Sequence, residues 1–512
     1  MHVAPEQLDD VERIARAALA RLGTEGIDDD QELAWRLAHV VSALGAVRAL
    51  VDDPAVPQAL ASYGAALFLR EAASELVALG VIDDLGALPL PPRPSEAAAA
   101  EVAEAPTTWS LGADLDLARD TFGRFARDEI APVADEVHRR NLDVPERIIE
   151  GLAGLGAFGL SIPERYGGSA TGSVDDTLAM LVATEALSQA SLGIGGSLIT
   201  RPEIIARAIL AGGTEEQRVR YLPALASGEL MGAVAVTEPD YGSDVASITT
   251  QAILGPDTAT VRGTKTWCTF AGRANLLAVL ARTEPDPSLR HRGLSLLLVP
   301  KDPVPGHSFD LEIGGGRLTG RAIDTLGYRG MHSYEVAFDD VSVAREQIVG
   351  GEEGRGRGFY LQMAGFENGR LQTVARAVGL MDAALAQARA YVANRRVFGR
   401  SLADYTLTRR KLARMVATVA AARAAAYRTA RHLETPEGSL AASMAKAWSC
   451  RQAELVTREA QQLHGGMGYA EEYPVSRYFV DARVLSIFEG ADETLSLRVI
   501  ARAVASSSET TR

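Results

Sequence analysis

The sequence predicts a mainly α-helical chain interrupted by one antiparallel β insert. Three observations predict this class. The first eighty or so residues carry helical periodicity, and the same period returns past residue 350 and holds to the end. Between residues 231 and 350 lies a run of short, partly β-branched segments with no intervening helix. At 512 residues the chain has room for about three units of ~150 residues each.

In order, residues 1–84 read as a helical amino-terminal extension. Leu33, Leu37, Val40, Leu44, Val47 and Val51 form one apolar stripe, and Asp28, Asp29 and Asp30 precede it at the positive end of the helix dipole. Residues 85–109 read as a Pro/Ala-rich linker, LPLPPRPSEAAAAEVAEAPTT, whose alanine piece can be transiently helical. Residues 110–230 are helical again, broken at IPERYGG and AGGTEEQ. The β domain occupies 231–350 through GAVAVTE, ATVRGTKTW, LLAVLAR, GLSLLLVP and YEVAFDDVSV. Over 351–505 the helical period resumes, with Val378, Met381, Leu385, Ala388 and Tyr391 as one stripe; 506–512 is a tail. No repeat of fixed period is present.

The formal charge of −14 argues against a nucleic-acid or anionic-membrane partner, since both call for a basic footprint. Two cysteines, Cys268 and Cys450, exclude a disulfide scaffold and a thiolate metal cage, and suit a reducing compartment. The start, MHVAPEQLDD, carries no basic region followed by an apolar stretch, and no uncharged apolar run approaches ~20 residues. The expectation is a cytoplasmic protein without a metal.

Five segments can carry chemistry. In Ala235–Asp244, AVTEPDYGSD, a strand end meets Pro, Gly, Ser and Asp, giving a polar loop whose free N–H groups can hold a phosphate or a ring edge; an ordinary turn reads equally well. In KTWCT, Trp267 and Thr269 stand two apart on a strand, placed to stack and hydrogen-bond a flat heteroaromatic ring, or simply to pack. NRRVFG ends a helix at Gly399 with paired arginines that can fork a phosphate or complement the dipole. QLHGGMGY lets backbone approach a ligand or turn a corner, and His464 there reads as structural. In IFEGADE, Glu489 lies between Phe488 and Gly490, and a carboxylate beside apolar surface is a stronger base than a solvated one.

From about Ser110 to Ala503 these segments, in this order with GGTEEQRVRYLPALASGE and LGYRG, resemble the acyl-CoA dehydrogenase family. The resemblance implies a helical domain, a middle β domain and a C-terminal four-helix bundle. It implies FAD as cofactor, an acyl-CoA thioester as substrate, electron-transfer flavoprotein as acceptor, and a homodimer or homotetramer that completes the flavin site. By position, Thr237, Gly242 and Ser243 would hold the flavin and its pyrophosphate, with Ser243 also facing substrate. Trp267 and Thr269 would lie against the flavin ring. Arg395, Phe398, Gln462, Gly465 and Gly466 would grip the FAD of the neighbouring subunit. Glu489 takes the place of the catalytic base and Arg370 that of the arginine beside it.

The sequence departs from the family pattern in places. Gly369 fills the slot where part of the family keeps its base, leaving Glu367 a distant second to Glu489. Ala491 and Glu493 stand for the usual threonine and glutamine, Thr406 for a glutamine and Val480 for an arginine.

In SLITRP, Arg201 borders the acyl end of the family's pocket, where a cation favours an acyl chain ending in carboxylate; the other reading is a solvated arginine before a helix. The extension of about a hundred residues, GYRGMHSYE and EYPVSR resemble the branch of the family that oxidises (2S)-methylsuccinyl-CoA to mesaconyl-CoA in the ethylmalonyl-CoA route. A dehydrogenase for another short-chain, branched or dicarboxylic acyl-CoA, an acyl-CoA oxidase, and a non-catalytic nucleic-acid-binding flavoprotein of the same fold remain as alternatives.

Overall fold

The computed structural model describes residues 5–509. Along the chain run α1 (Pro5–Asp29), α2 (Gln31–Asp52), α3 (Gln58–Ala78), α4 (Glu96–Glu104), α5 (Ala113–Phe125), α6 (Ala131–Arg140), α7 (Glu146–Gly154), α8 (Val174–Ala190), α9 (Thr200–Gly212) and α10 (Glu215–Ser227). The strands are β1 (Gly232–Ala235), β2 (Gln251–Leu254), β3 (Thr258–Thr269), β4 (Leu276–Arg282), β5 (Leu294–Pro300), β6 (Ser308–Ile313), β7 (Gly316–Ile323) and β8 (Ser333–Ala344). After them come α11 (Gly358–Asn394), α12 (Thr406–Arg431), α13 (Pro436–His464) and α14 (Val475–Leu485). Two compact units result, Met1–Thr121 with Arg370–Arg512, and Phe122–Gly369.

In the first unit the amino-terminal helices pack with the carboxy-terminal ones. Helix α2 starts where the Asp30 carboxylate accepts the Leu33 N–H at 3.1 Å, so the last residue of the acidic run is its cap. Leu37, Val40, Leu44 and Val47 of the expected stripe are buried, and so are Ala34, Ala38, Val41 and Leu50, because α2 is covered on several sides by α1, α3, α12 and α13. By length and composition α2 is the one described helix that could cross a membrane; most of that stretch is buried, as in a core helix of a folded unit.

Residues 85–109, read as a linker, are packed instead. Ser95 caps α4 through the Ala98 N–H at 3.1 Å, and α4 lies on α12. Arg389 donates to the carbonyls of Ala103 and Ala105, each at 2.7 Å, satisfying the end of α4. Arg423, fully buried, donates to the Thr107 carbonyl and the Asp382 carboxylate, and the Thr107 hydroxyl reaches Asp382 at 2.7 Å. Composition marked this stretch as a spacer; long-range arginine contacts, which composition cannot show, pin it down.

The second unit carries a sheet in the order β1-β4-β2-β3-β8-β7-β6, with β5 on β4. Most pairings are antiparallel, as expected, but β1 runs parallel to β4, since β2 and β3 intervene and supply the crossover that a parallel pair needs. Both faces of β4 and β5 are buried. Leu277, Val279, Leu297 and Val299 join one core with Val336 and Val341, while Leu276, Leu280, Leu296 and Leu298 meet Ile205, Ile209, Leu222 and Leu225 of α9 and α10.

Candidate active site

In the second unit, β1 ends in the loop that carries Thr237, Gly242 and Ser243. Glu238 and Tyr241 exchange backbone hydrogen bonds at 3.0 and 3.1 Å, and the Thr266 N–H donates to the Thr237 carbonyl at 2.8 Å, laying the loop beside β3. Below it sits a buried ion pair. The Glu238 carboxylate accepts from Lys265 Nζ at 2.9 Å, from the Thr249 N–H at 2.7 Å and from the Thr250 N–H at 2.8 Å. Burial works to raise its pKa, but the ammonium and the N–H donors outweigh that and hold it at about 2. Pro239, Asp240, Gly242 and Ser243 are left exposed above this anchor.

The alternation expected of β3 is interrupted. Its register against β8 shifts between Lys265 and Cys268, and Trp267 within the bulge has φ 58° and is 55% exposed. Thr269 is buried, its hydroxyl 2.9 Å from that of Ser333. The bulge presents the indole as an open flat surface next to the Thr237 loop. On α9, Arg201 is only 7% exposed, so it is not the solvated arginine of the alternative reading.

In the first unit, Glu489 lies half-buried on the loop between α14 and Asp492. Its φ of 54° and that of Gly490, 101°, put two successive residues in the left-handed region; glycine adopts it freely, whereas Glu489 does so under strain. Three contacts hold the loop. The Asp492 N–H donates to the Ser486 carbonyl at 3.1 Å, Lys446 Nζ donates to the Gly490 carbonyl at 2.6 Å, and the Arg376 guanidinium lies 4.9 Å from the Phe488 ring centre. Burial lowers the pKa of Lys446, while Cys450, Asp492 and Glu489 act to raise it and Arg370 to lower it, so these groups share one electrostatic neighbourhood. Arg370 donates to the Ser443 hydroxyl at 3.3 Å. The side chain of Glu367 lies outside the described residues.

Also in the first unit, Arg395, Phe398, Gln462, Gly465 and Gly466 are all exposed, Phe398 to 99%. A Cβ built on Gly465 or Gly466 would meet open space, so backbone there is free for close approach by a ligand. His464 is a packing residue as expected, its Nδ1 2.7 Å from the Ala460 carbonyl and its ring stacked on Tyr391 at 4.3 Å. Burial pushes the Cys268 and Cys450 thiols up to about 12 and about 11, which leaves neither available as a thiolate. Among the described residues no group of three or more His, Cys, Asp or Glu could hold a metal ion.

Within the second unit, an exposed indole in a bulge next to an exposed polar loop suits a flavin ring and its phosphates, and within the first unit the open glycines suit close approach by a ligand. The buried Glu238–Lys265 pair, Lys446 and Asp492 were not singled out from sequence. Glu238 stands inside the loop motif and Lys265 begins the strand motif, so the signal was there; nothing local marks Lys446.

Three consecutive family models cover most of the chain: the acyl-CoA dehydrogenase N-terminal domain over residues 113–229, the middle domain over 233–341 and the C-terminal domain over 356–505. The chain belongs to the acyl-CoA dehydrogenase family, an FAD-dependent family of oxidoreductases. It is 42% identical over 395 residues to a (2S)-methylsuccinyl-CoA dehydrogenase of Cereibacter sphaeroides, covering 77% of this chain and 70% of that one. The glutaryl-coenzyme A dehydrogenase–glutaryl-CoA complex superposes with a TM-score of 0.70 at 28% identity, over 79% of this chain and 97% of the other. A chain from the structure of the electron transferring flavoprotein of Acidaminococcus fermentans matches at 30% identity and a TM-score of 0.70, over 79% and 100%.

Proposed function

We propose that this enzyme dehydrogenates a short, branched dicarboxylic acyl-CoA between Cα and Cβ, with (2S)-methylsuccinyl-CoA as substrate and mesaconyl-CoA as product. The observation that carries the dicarboxylate is Arg201: a guanidinium 7% exposed, at the position where the family's acyl pocket ends. By resemblance the segment carrying Arg201 borders the acyl end of the family's pocket, where a guanidinium can bind a substrate carboxylate through its planar fork. The 42% identity to a relative with this activity supports the same reading.

Thr237, Gly242, Ser243, Trp267 and Thr269 are assigned to FAD within one subunit, and Arg395, Phe398, Gln462, Gly465 and Gly466 to the FAD of a partner, in a homodimer or homotetramer. When bound, FAD supplies the acceptor for the hydride leaving Cβ. The protein's part is positional and electrostatic. Glu489 takes the α-proton; its strained backbone and the Lys446–Gly490 contact fix the carboxylate's origin. Arg370 lies beside the thioester portion, and the Glu489 N–H stabilises the enolate oxygen as charge develops there. Electron-transfer flavoprotein is proposed as the acceptor.

Anaerobic titration of the holoenzyme with methylsuccinyl-, glutaryl-, succinyl- and 2-methylbutyryl-CoA tests the assignment. Methylsuccinyl-CoA should bleach the flavin fastest; preferential bleaching by the neutral 2-methylbutyryl thioester would refute the dicarboxylate reading.

A further inference from the structure

The base loop is held from the amino-terminal extension. On α2, Trp35 and His39 stand four apart and therefore on one helix face. Trp35 Nε1 donates to Asp492 Oδ2 at 3.0 Å, and His39 Nε2 lies 3.0 Å from the same oxygen. The two rings meet edge to face at 4.9 Å, Arg451 of α13 covers the Trp35 ring at 4.7 Å, and the Ser496 hydroxyl approaches His39 Nε2 at 3.4 Å. The His39 and Asp492 side chains are 12% and 11% exposed, so water competes little for these contacts.

Asp492 is the residue that closes the Glu489 loop, through its N–H on the Ser486 carbonyl. Burial acts to raise its carboxyl pKa, and the hydrogen bonds from His39 and Trp35 together with the charges of His39 and Arg451 more than offset that, so the carboxylate remains a charged acceptor. The loop is thus held at Gly490 by Lys446 from one side and at Asp492 by α2 from the other.

We infer that Trp35 and His39 are positioning residues for the reaction, holding Asp492 so that the loop presents Glu489 to the substrate's α-carbon. This rests on Glu489 being the base. It gives the amino-terminal extension a part in turnover that runs through Asp492.

The test uses the full-length, FAD-loaded enzyme and stopped-flow flavin reduction by saturating methylsuccinyl-CoA, with thioester Kd and flavin occupancy measured alongside. The double variant Trp35→Phe/His39→Ala removes both donors while keeping one ring. Its limiting reduction rate should fall about tenfold to a hundredfold, the size of a misplaced catalytic group, with Kd and flavin occupancy retained. Asp492→Ala should fall likewise, and Asp492→Asn, whose amide oxygen still accepts, should recover most of that loss. Added to Glu489→Gln, Asp492→Ala should lower the residual rate no further.

An unchanged limiting rate in the double variant would overturn the inference while leaving the base assignment standing. So would a loss matched by lost flavin, or an equal loss in the Glu489→Gln background. Near-normal flavin reduction by Glu489→Gln alone would overturn the base assignment and this positioning role with it.

Discussion

Replacing Glu238 by glutamine should loosen the loop assigned to the flavin and destabilise the unit that carries it. The drop in the Glu238 pKa from 4.5 to about 2 corresponds to about 3 kcal/mol of stabilisation at neutral pH. Loss of one member of a buried pair leads to a similar figure, about 3–5 kcal/mol, because Lys265 has no exposed surface and a pKa that burial already lowers against the pull of Glu238, so without that partner it either holds an uncompensated charge or gives up its proton. The sign follows from the depressed pKa: the contribution is complete above pH 4.5 and is lost as pH falls toward 2. Urea unfolding of wild type and Glu238→Gln, run at several pH values from neutral to acid, should give a gap of that size that narrows below pH 4.5. Flavin retention on gel filtration should drop in parallel. Equal midpoints at neutral pH, or a gap that stays constant into acid, would refute the reasoning.

Glu489→Gln should bind FAD and thioester yet fail to reduce the flavin, because the amide keeps the shape and loses the basicity; anaerobic bleaching checks this. Arg201→Ala should lose about 2–5 kcal/mol of binding, some 30- to several-thousand-fold, on methylsuccinyl-CoA while sparing 2-methylbutyryl-CoA, and Arg201→Lys should rescue in part. Equal losses on both thioesters would make Arg201 structural. Phe398→Asp puts a charge on a ring 99% exposed within one chain, and sedimentation should show a shift to monomer together with loss of FAD.

Much of the architecture could be read directly from periodicity. The α2 stripe, the switch to short strands at Met231 and the return of helix past Gly350 each follow from spacing alone. The parallel β1–β4 pair and the packed course of residues 85–109 could not, because both depend on partners distant in sequence. Of the candidate residues, the exposed ones in glycine-rich loops were legible because backbone freedom writes itself as Gly and Pro. Lys446 and Asp492 were not, since a buried lysine on an alanine-rich helix and an aspartate at a helix start look alike whether or not they steady a neighbouring loop. The bulge that exposes Trp267 is likewise invisible to a rule of alternation.

The first unit is built from both ends of the chain, and this sets the order in which the protein can be made. On a ribosome adding about 5–20 residues per second, residues 122–369 can finish folding while the other unit still lacks half its helices. Helix α2, apolar enough to pass for a membrane span, must wait on the order of tens of seconds for α13 to emerge and cover it. During that interval α1 and α3 can cover part of it, but the faces that α12 and α13 will meet stay open to aggregation, so yield in a foreign host should depend on chaperone supply and translation speed more than on the stability of the finished enzyme.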